Sequence, residues 1–270
     1  MSYPAVAPDP QQLLDTAIEA AVSAGTHALD NVARRHETVA CAEHDVKLRL
    51  DIECQQVAER VVRSRFPRHR FLGEERTGTE PDPAAADSPY QWIVDPIDGT
   101  VNFTHGLPFW CCSVACRKRD TTLAGAVYAP ALNQLYQASL ETPALCNEQP
   151  IQVSTVDSLT RAMTLSAMDI AERPGHEPLC LFRELALRTR KTRILGSAAL
   201  DLCMVASGKA DGYFEASIFL WDIAAGALIV RRAGGVVEAL RKPDADHRLA
   251  FLATNGRIHD PLKALLLPHL

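Results

Sequence analysis

The stretch that most limits what this chain can become is Trp92-Ile93-Val94-Asp95-Pro96-Ile97-Asp98-Gly99-Thr100. An apolar, β-prone run ends on Asp95, and Pro96 restricts the backbone on either side of itself. Asp95 and Asp98 can then converge, with the Ile97 carbonyl offering a neutral oxygen between them. Gly99 permits a tight turn and a close backbone approach. If a helix begins here, its free amides and dipole favour a phosphate. Otherwise Asp98-Gly99 is simply a hairpin turn.

The flanking texture says what this segment is embedded in. Asp9-Pro10 is a helix start, and Leu13, Leu14, Ala17, Ile18, Ala21, Val22, Ala28 and Leu29 recur at helical spacing behind it. A second amphipathic pattern follows Asp51 and stops near Pro67. Short β-rich segments then occupy Tyr90–Val94, Phe109–Cys116, Leu123–Tyr128 and Gln134–Ala138, predicting an antiparallel meander. Glu80–Ser88 reads as an exposed loop.

Beyond residue 155 strands and helices alternate. The strands are Met163–Ser166, Thr192–Leu195, Gly212–Glu215, Val236–Leu240 and Ala250–Ala253; the helices are Pro178–Arg190, Ala198–Ser207 and Ile223–Ala233. The expectation is a mixed α/β (α+β) protein of two intimately packed lobes, residues 1–155 and 156–270, forming a single compact unit. A chain of 270 residues is long enough to bury such a core.

Several function classes are disfavoured. The net charge of −5 argues against a nucleic-acid or polybasic membrane-surface protein. No window approaches the roughly 18–20 uninterrupted apolar residues of a membrane span. The first residues lack a basic segment followed by an apolar one, so a cytoplasmic setting is expected. There Asn102-Phe103-Thr104, formally a glycosylation sequon, has no meaning. The 8 cysteines (Cys41, Cys54, Cys111, Cys112, Cys116, Cys146, Cys180 and Cys203) form no Cys-x-x-Cys pair and are expected as free thiols. The 9 histidines never take metal-ligand spacing, which disfavours zinc. Ser207-Gly208-Lys209-Ala210 lacks the upstream glycine and the hydroxyl residue of a phosphate-binding loop.

Further acids give the central motif company. Glu74 and Glu75 follow the apolar Phe71-Leu72-Gly73, where a solvated loop is the plain alternative. Asp222 precedes an apolar helical run, and Asp51 opens a helix; each can be read as a simple N-cap. Brought within ~4–6 Å of one another, such carboxylates repel and shift toward protonation unless a cation joins them. Oxygen donors of this kind suit Mg²⁺ or Mn²⁺. Two ions ~3.5–4 Å apart can clamp both oxygens of a phosphoryl transfer.

These residues resemble the inositol monophosphatase family, magnesium-dependent, lithium-sensitive sugar and nucleotide phosphatases. The matching segments are Gly73-Glu74-Glu75; Trp92 through Phe103; Gly196-Ser197-Ala198-Ala199-Leu200-Asp201-Leu202 continuing to Asp211-Gly212-Tyr213-Phe214-Glu215; and Trp221-Asp222-Ile223-Ala224-Ala225-Gly226. The resemblance runs from about residue 10 to 265 and implies a layered αβαβα sandwich, a homodimer and inhibition by Li⁺.

It also implies roles. Glu74, Asp95 and the Ile97 carbonyl would hold a first Mg²⁺, with the Thr100 hydroxyl close by. Asp95, Asp98 and Asp222 would hold a second, and Glu74 could reach a third. Thr100, oriented by Asp51, would help Glu74 activate the attacking water. The Gly99 and Thr100 amides would take the phosphate, with Asp98 and Asp222 also at the substrate. Gly196, Ser197, Ala198 and Glu215 would face the alcohol.

Asn102-Phe103-Thr104-His105-Gly106 resembles the inositol branch, favouring a compact polyol monoester such as myo-inositol 1-phosphate. Fructose 1,6-bisphosphate, histidinol phosphate and 3′-phosphoadenosine 5′-phosphate are alternatives, as is a regulatory binding protein that keeps the fold. Two features depart from the family: Leu48 stands where threonine is usual, with no evident lysine just before that segment, and Glu141-Thr142-Pro143 replaces a glycine-rich turn.

Overall fold

The computed structural model describes residues 7–41, 46–75, 85–167, 178–241 and 247–270. Helix α1 (Pro10–Asp30) starts as its sequence predicts, with Asp9 accepting the Gln11 amide at 3.1 Å. Its buried stripe, Leu13, Leu14, Ala17, Ala20, Ala21, Ala24 and Ala28, is mostly alanine, which lets the helix lie close to what it covers. After a hairpin of β1 (Thr38–Cys41) and β2 (Val46–Leu48) comes α2 (Arg49–Arg65).

A seven-stranded sheet follows: β3 (Arg70–Gly73), β4 (Tyr90–Asp98), β5 (Cys111–Lys118), β6 (Thr121–Ala129), β7 (Gln134–Ser139), β8 (Leu145–Cys146) and β9 (Gln149–Pro150), in that spatial order. All neighbours are antiparallel except β3 and β4, which run parallel. Both faces are buried, and alternation along the strands sorts the side chains. Trp92, Val94, Cys112, Val114, Cys116, Ala124 and Ala126 pack against α1 and α2.

Ile93, Cys111, Ala115, Val127, Tyr136 and Ala138 face the other way, against α5 (Ala198–Ala206) and α6 (Leu220–Arg232). Gly125 is needed here, since a Cβ on it would meet the Ala225 Cα of α6 at 3.0 Å.

The second sheet holds β10 (Met163–Ser166), β11 (Lys191–Arg193), β12 (Gly212–Phe219), β13 (Val236–Arg241) and β14 (Arg248–Thr254) in the order β11-β10-β12-β14-β13. Tyr213, Ile218, Leu249, Phe251 and Ala253 cover the far side of α5 and α6. Phe214 and Leu252 point outward to α4 (Pro178–Arg188) and α7 (His259–Leu266). The layers are therefore α1/α2, sheet, α5/α6, sheet, α4/α7: the αβαβα sandwich. Among the described residues, no helix is long and apolar enough to cross a membrane.

Several elements differ from their predicted bounds. The strand predicted to end at Val94 continues to Asp98, and its pairing with β5 is irregular between Asp95 and Asp98, where Pro96 has no amide to offer. The strand predicted over Gly212–Glu215 likewise runs on to Phe219, past an irregularity between Glu215 and Ile218. The loop predicted over Glu80–Ser88 lies largely outside the described residues.

The glycine-poor turn at Glu141-Thr142-Pro143 is closed by hydroxyls instead. Thr142 Oγ1 accepts the Ser139 amide at 2.9 Å, and Ser139 Oγ accepts the amides of Glu141 and Thr142 at 3.2 and 3.1 Å. The seven cysteines whose side chains are described are free.

Candidate active site

At the end of β4 the chain turns sharply into the short helix α3 (Thr100–His105). The turn depends on Gly99, at φ +93°, where a Cβ would also meet the carbonyls of Phe109 at 2.9 Å and Gly196 at 3.0 Å. Asp95 Oδ1 accepts the Ile97 amide at 3.1 Å across the proline. Asn102 then ties the two halves of the chain together, its Nδ2 donating to the carbonyls of Phe109 and Leu195, each at 2.7 Å.

Asp98 crosses the same divide. Its carboxylate accepts the Ser197 hydroxyl at 2.8 Å and the Ala198 and Ala199 amides at 3.1 and 2.6 Å. A strand-end acid thus caps α5 from another part of the chain, at the positive end of that helix.

Glu74 and Glu75 part company directly after β3. Gly73 leaves room for Gln55 of α2, because a Cβ there would lie 2.0 Å from the Gln55 Oε1. Gln55 clamps the Glu75 backbone, accepting its amide at 2.9 Å and donating to its carbonyl at 2.8 Å. Glu75 is buried against Lys47, whose Nζ lies 3.3 Å away, so the solvated-loop reading does not hold for it. Glu74 is left facing inward.

Asp222 sits at the third position of α6 rather than at its cap, accepting the Phe219 amide at 3.0 Å.

Glu74, Asp95, Ile97, Asp98, Gly99, Thr100, Gly196, Ser197, Ala198, Glu215 and Asp222 all line one cavity of about 350 Å³. Of the residues singled out from sequence, Asp51 stands apart. It too is a third-position residue, accepting the Leu48 amide at 2.9 Å, and it is not among those lining the cavity. The Thr100 hydroxyl donates to the Ile97 carbonyl at 3.0 Å, and no hydrogen bond joins it to Asp51. The other Asp51 oxygen is buried with no hydrogen-bond partner.

Burial and mutual repulsion dominate the electrostatics. Desolvation and then the neighbouring Glu75 raise the Glu74 carboxyl to about 7. Asp95 and Asp222 are lifted well above the usual carboxylate range by burial and then by their acidic neighbours. Asp95 lies within hydrogen-bonding reach of both Glu74 and Asp222. Burial raises Asp98 too, against the pull of Ser197 and the α5 amides.

Among the described residues, no three His, Cys, Asp or Glu side chains form a preset metal cage; these carboxyls meet in pairs. The donor set nonetheless fits a hard divalent cation. It is all oxygen, and too anionic to stay ionised unaided. Among the described residues no lysine, arginine or histidine lines the cavity, so a phosphate dianion would meet only negative charge there without cations.

Four contributors were not singled out for a role from sequence. Asn102 looked like a sequon, and nothing in its neighbours marks it as a tie. Gln55 lies one helical turn after Asp51, a spacing that does place it on the same face. Tyr213, whose hydroxyl donates to Glu215, and Asp201, a further cavity-lining acid, both stand inside the quoted motifs.

A five-layer sandwich with an acid-lined cavity at the N-terminal ends of its middle helices places the chain in a class of phosphatases with solved members. An inositol monophosphatase from Anabaena (Nostoc) sp. superposes with a TM-score of 0.81 at 33% identity, covering 96% of each chain. The sequence matches the inositol monophosphatase family over residues 9–267, and the chain belongs to that family, phosphatases that are generally metal-dependent. It is 34% identical over 266 residues to an inositol-1-monophosphatase of Synechocystis sp., covering 96% of this chain and 90% of the relative. It is 36% identical over 228 residues to a protein of Pasteurella multocida named Nus factor SuhB, covering 83% and 84%.

Proposed function

We propose that this phosphatase hydrolyses a compact polyol monophosphate, myo-inositol 1-phosphate or a close analogue, with Mg²⁺ as its cofactor and Mn²⁺ able to replace it. The observation that supports this most is the gathering of Glu74, Asp95, Asp98 and Asp222, from three separate segments, around one cavity. Glu74, Asp95 and the Ile97 carbonyl would hold one ion, Asp95, Asp98 and Asp222 a second, and Glu74 a third. Bound there, the cations would neutralise the phosphate, activate water and stabilise the leaving oxygen.

The chain's own residues do the rest. Asp95 would be shared between the two main positions. With its proton committed to Ile97, the Thr100 hydroxyl presents lone pairs to the attacking water, and Glu74 accepts a proton from it. The Gly99 and Thr100 amides orient the phosphate for in-line attack. Gly196, Ser197 and Ala198 line the alcohol side, and Glu215, held by Tyr213, accepts from vicinal hydroxyls. The free thiols support a reducing, cytoplasmic setting. Family membership supports a homodimer and inhibition by Li⁺.

The test is phosphate release from a panel of esters with Mg²⁺. The expected order places myo-inositol 1-phosphate above fructose 1,6-bisphosphate, histidinol phosphate and 3′-phosphoadenosine 5′-phosphate in kcat/KM, with activity lost in Asp95→Asn and suppressed by Li⁺. No release, or release indifferent to Asp95→Asn, overturns the reading.

The relatives named Nus factor SuhB support a second one, a regulatory binding protein that keeps the fold. A partner captured equally by the wild-type chain and by Asp95→Asn would favour it.

A further inference from the structure

Among the described residues, four buried side-chain atoms lack a hydrogen-bond partner: Asp51 Oδ1, Arg70 Nε, Asp201 Oδ1 and Trp221 Nε1. Of the four residues, Asp201 alone lines the cavity. It is 2% exposed and sits in α5 between Leu200 and Leu202, on a helix whose other residues are apolar. Its amide donates to the Ser197 carbonyl at 2.9 Å, and its carboxyl accepts none of the amides at the helix start, two of which go to Asp98 instead. A buried polar atom left without a partner is costly, and an aliphatic side chain could occupy the same place. Because Asp201 lines the cavity, a ligand there can supply the partner that its carboxyl lacks among the described residues.

The surroundings say what that partner is. Around Asp201 stand Glu215, which accepts a hydrogen bond from the Tyr213 hydroxyl, and Asp98, which is engaged by Ser197 and the α5 amides. This wall offers acceptors, and among the described residues no cationic side chain lines it, so the phosphate end of a ligand is repelled. A hydroxyl donor is welcome. Ala167 and Ile218 supply apolar surface for the carbon face of a ring.

We infer that Asp201 is a specificity-determining residue that binds a hydroxyl of the substrate's alcohol half, beyond those read by Glu215. The inference rests on the proposed phosphatase reading and deepens it. The favoured alcohol is polyhydroxylated and ring-shaped, rather than aromatic or simple alkyl.

The experiment compares wild type, Asp201→Asn and Asp201→Leu on myo-inositol 1-phosphate and 4-nitrophenyl phosphate with Mg²⁺. In Asp201→Leu the ratio of kcat/KM for the polyol ester over the aryl ester is expected to fall about tenfold or more, through KM more than kcat, because a polar group in a pocket selects by what its loss leaves unpaired. Asp201→Asn, which keeps a hydrogen-bonding amide, is expected to hold the ratio within about threefold. The melting temperature of Asp201→Leu is expected to stay level or rise, since the variant removes an unpaired buried oxygen.

A ratio that moves less than twofold in Asp201→Leu, or a drop in melting temperature with equal losses on both esters, overturns the assignment. A wild-type chain that cleaves neither ester overturns the phosphatase reading instead. Ligand-observed NMR with myo-inositol alone then still decides on Asp201: weaker saturation transfer in Asp201→Leu than in wild type supports it, and equal transfer sinks it.

Discussion

The first turns of α2 and α6 are built alike. Each has an apolar residue at the cap, Leu48 or Phe219, and an aspartate three places on whose Oδ2 accepts the cap residue's amide, at 2.9 Å from Leu48 and 3.0 Å from Phe219. They differ in what meets the rest of the carboxyl. Asp222 faces the cavity and comes within hydrogen-bonding reach of Asp95, whereas the second oxygen of Asp51 is buried with no partner.

The caps differ too. Phe219 stacks on Trp221 with centroids 4.5 Å apart and lies 4.2 Å beneath the Arg248 guanidinium, while Leu48 is fully buried in the core beneath α1. One local device therefore serves two ends: in α6 the helix start doubles as a wall of the site, and in α2 it remains chiefly a helix start. Position decides, because the end of β4 reaches one aspartate and not the other.

The largest expected effect separates the two aspartates directly. Asp222→Asn should lower Mg²⁺-dependent phosphate release about a thousandfold, and Asp51→Asn about tenfold, measured as kcat/KM on the same ester. Equal losses would erase the distinction and bring Asp51 back to the site.

The next concerns the tie that brings α5 to the β4 end. Asn102→Ala orphans two carbonyls and should cost about 3 kcal/mol in urea unfolding. A loss below about 1 kcal/mol would mean water replaces the amide.

A smaller effect tests the cap of α2. Leu48→Thr adds the hydroxyl that α2 lacks, worth about 1 kcal/mol, but gives up about 2 kcal/mol of buried apolar packing. A net loss of about 1 kcal/mol is expected, and a net gain would show that the orphaned Asp51 oxygen had found a donor.

The smallest lies just past the other end of α2. His69 stacks between Phe66 and Tyr90, and its Nδ1 accepts the Trp92 indole proton at 3.1 Å, so that nitrogen must stay unprotonated. Burial holds the ring down to about 4, from an ordinary 6.5. A base depressed on folding gives its full stability above 6.5 and loses it as pH falls through 4. The loss should be at most about 1 kcal/mol for this half-buried ring, and His69→Gln should flatten it in urea midpoints taken across that window.

Periodicity made the helices and the strand order of the meander legible, because burial on one face or two leaves its mark in spacing. The acidic residues were legible as types, and their meeting was not. Asp51 and Asp222 both read as N-caps because the residues that occupy the caps, leucine and phenylalanine, are not ones a helix start advertises. The orphaned oxygens of Asp51 and Asp201 leave no trace in spacing. The hydroxyl-closed turn at Ser139 and Thr142 hid behind an expectation of glycine. Asn102 carried a misleading local pattern, since its true partner at Leu195 is remote in sequence.

Asp98 and Asn102 also bear on how the chain is made. Their partners at Leu195, Ser197, Ala198 and Ala199 emerge nearly a hundred residues later. A nascent polypeptide that has released only its first half carries Glu74, Asp95 and Asp98 without the donors that hold Asp98 or the wall that shapes the pocket. Its acids repel one another with nothing to enclose a substrate. The donors that hold Asp98 and the wall that shapes the pocket are thus complete only once the last third of the chain has been made.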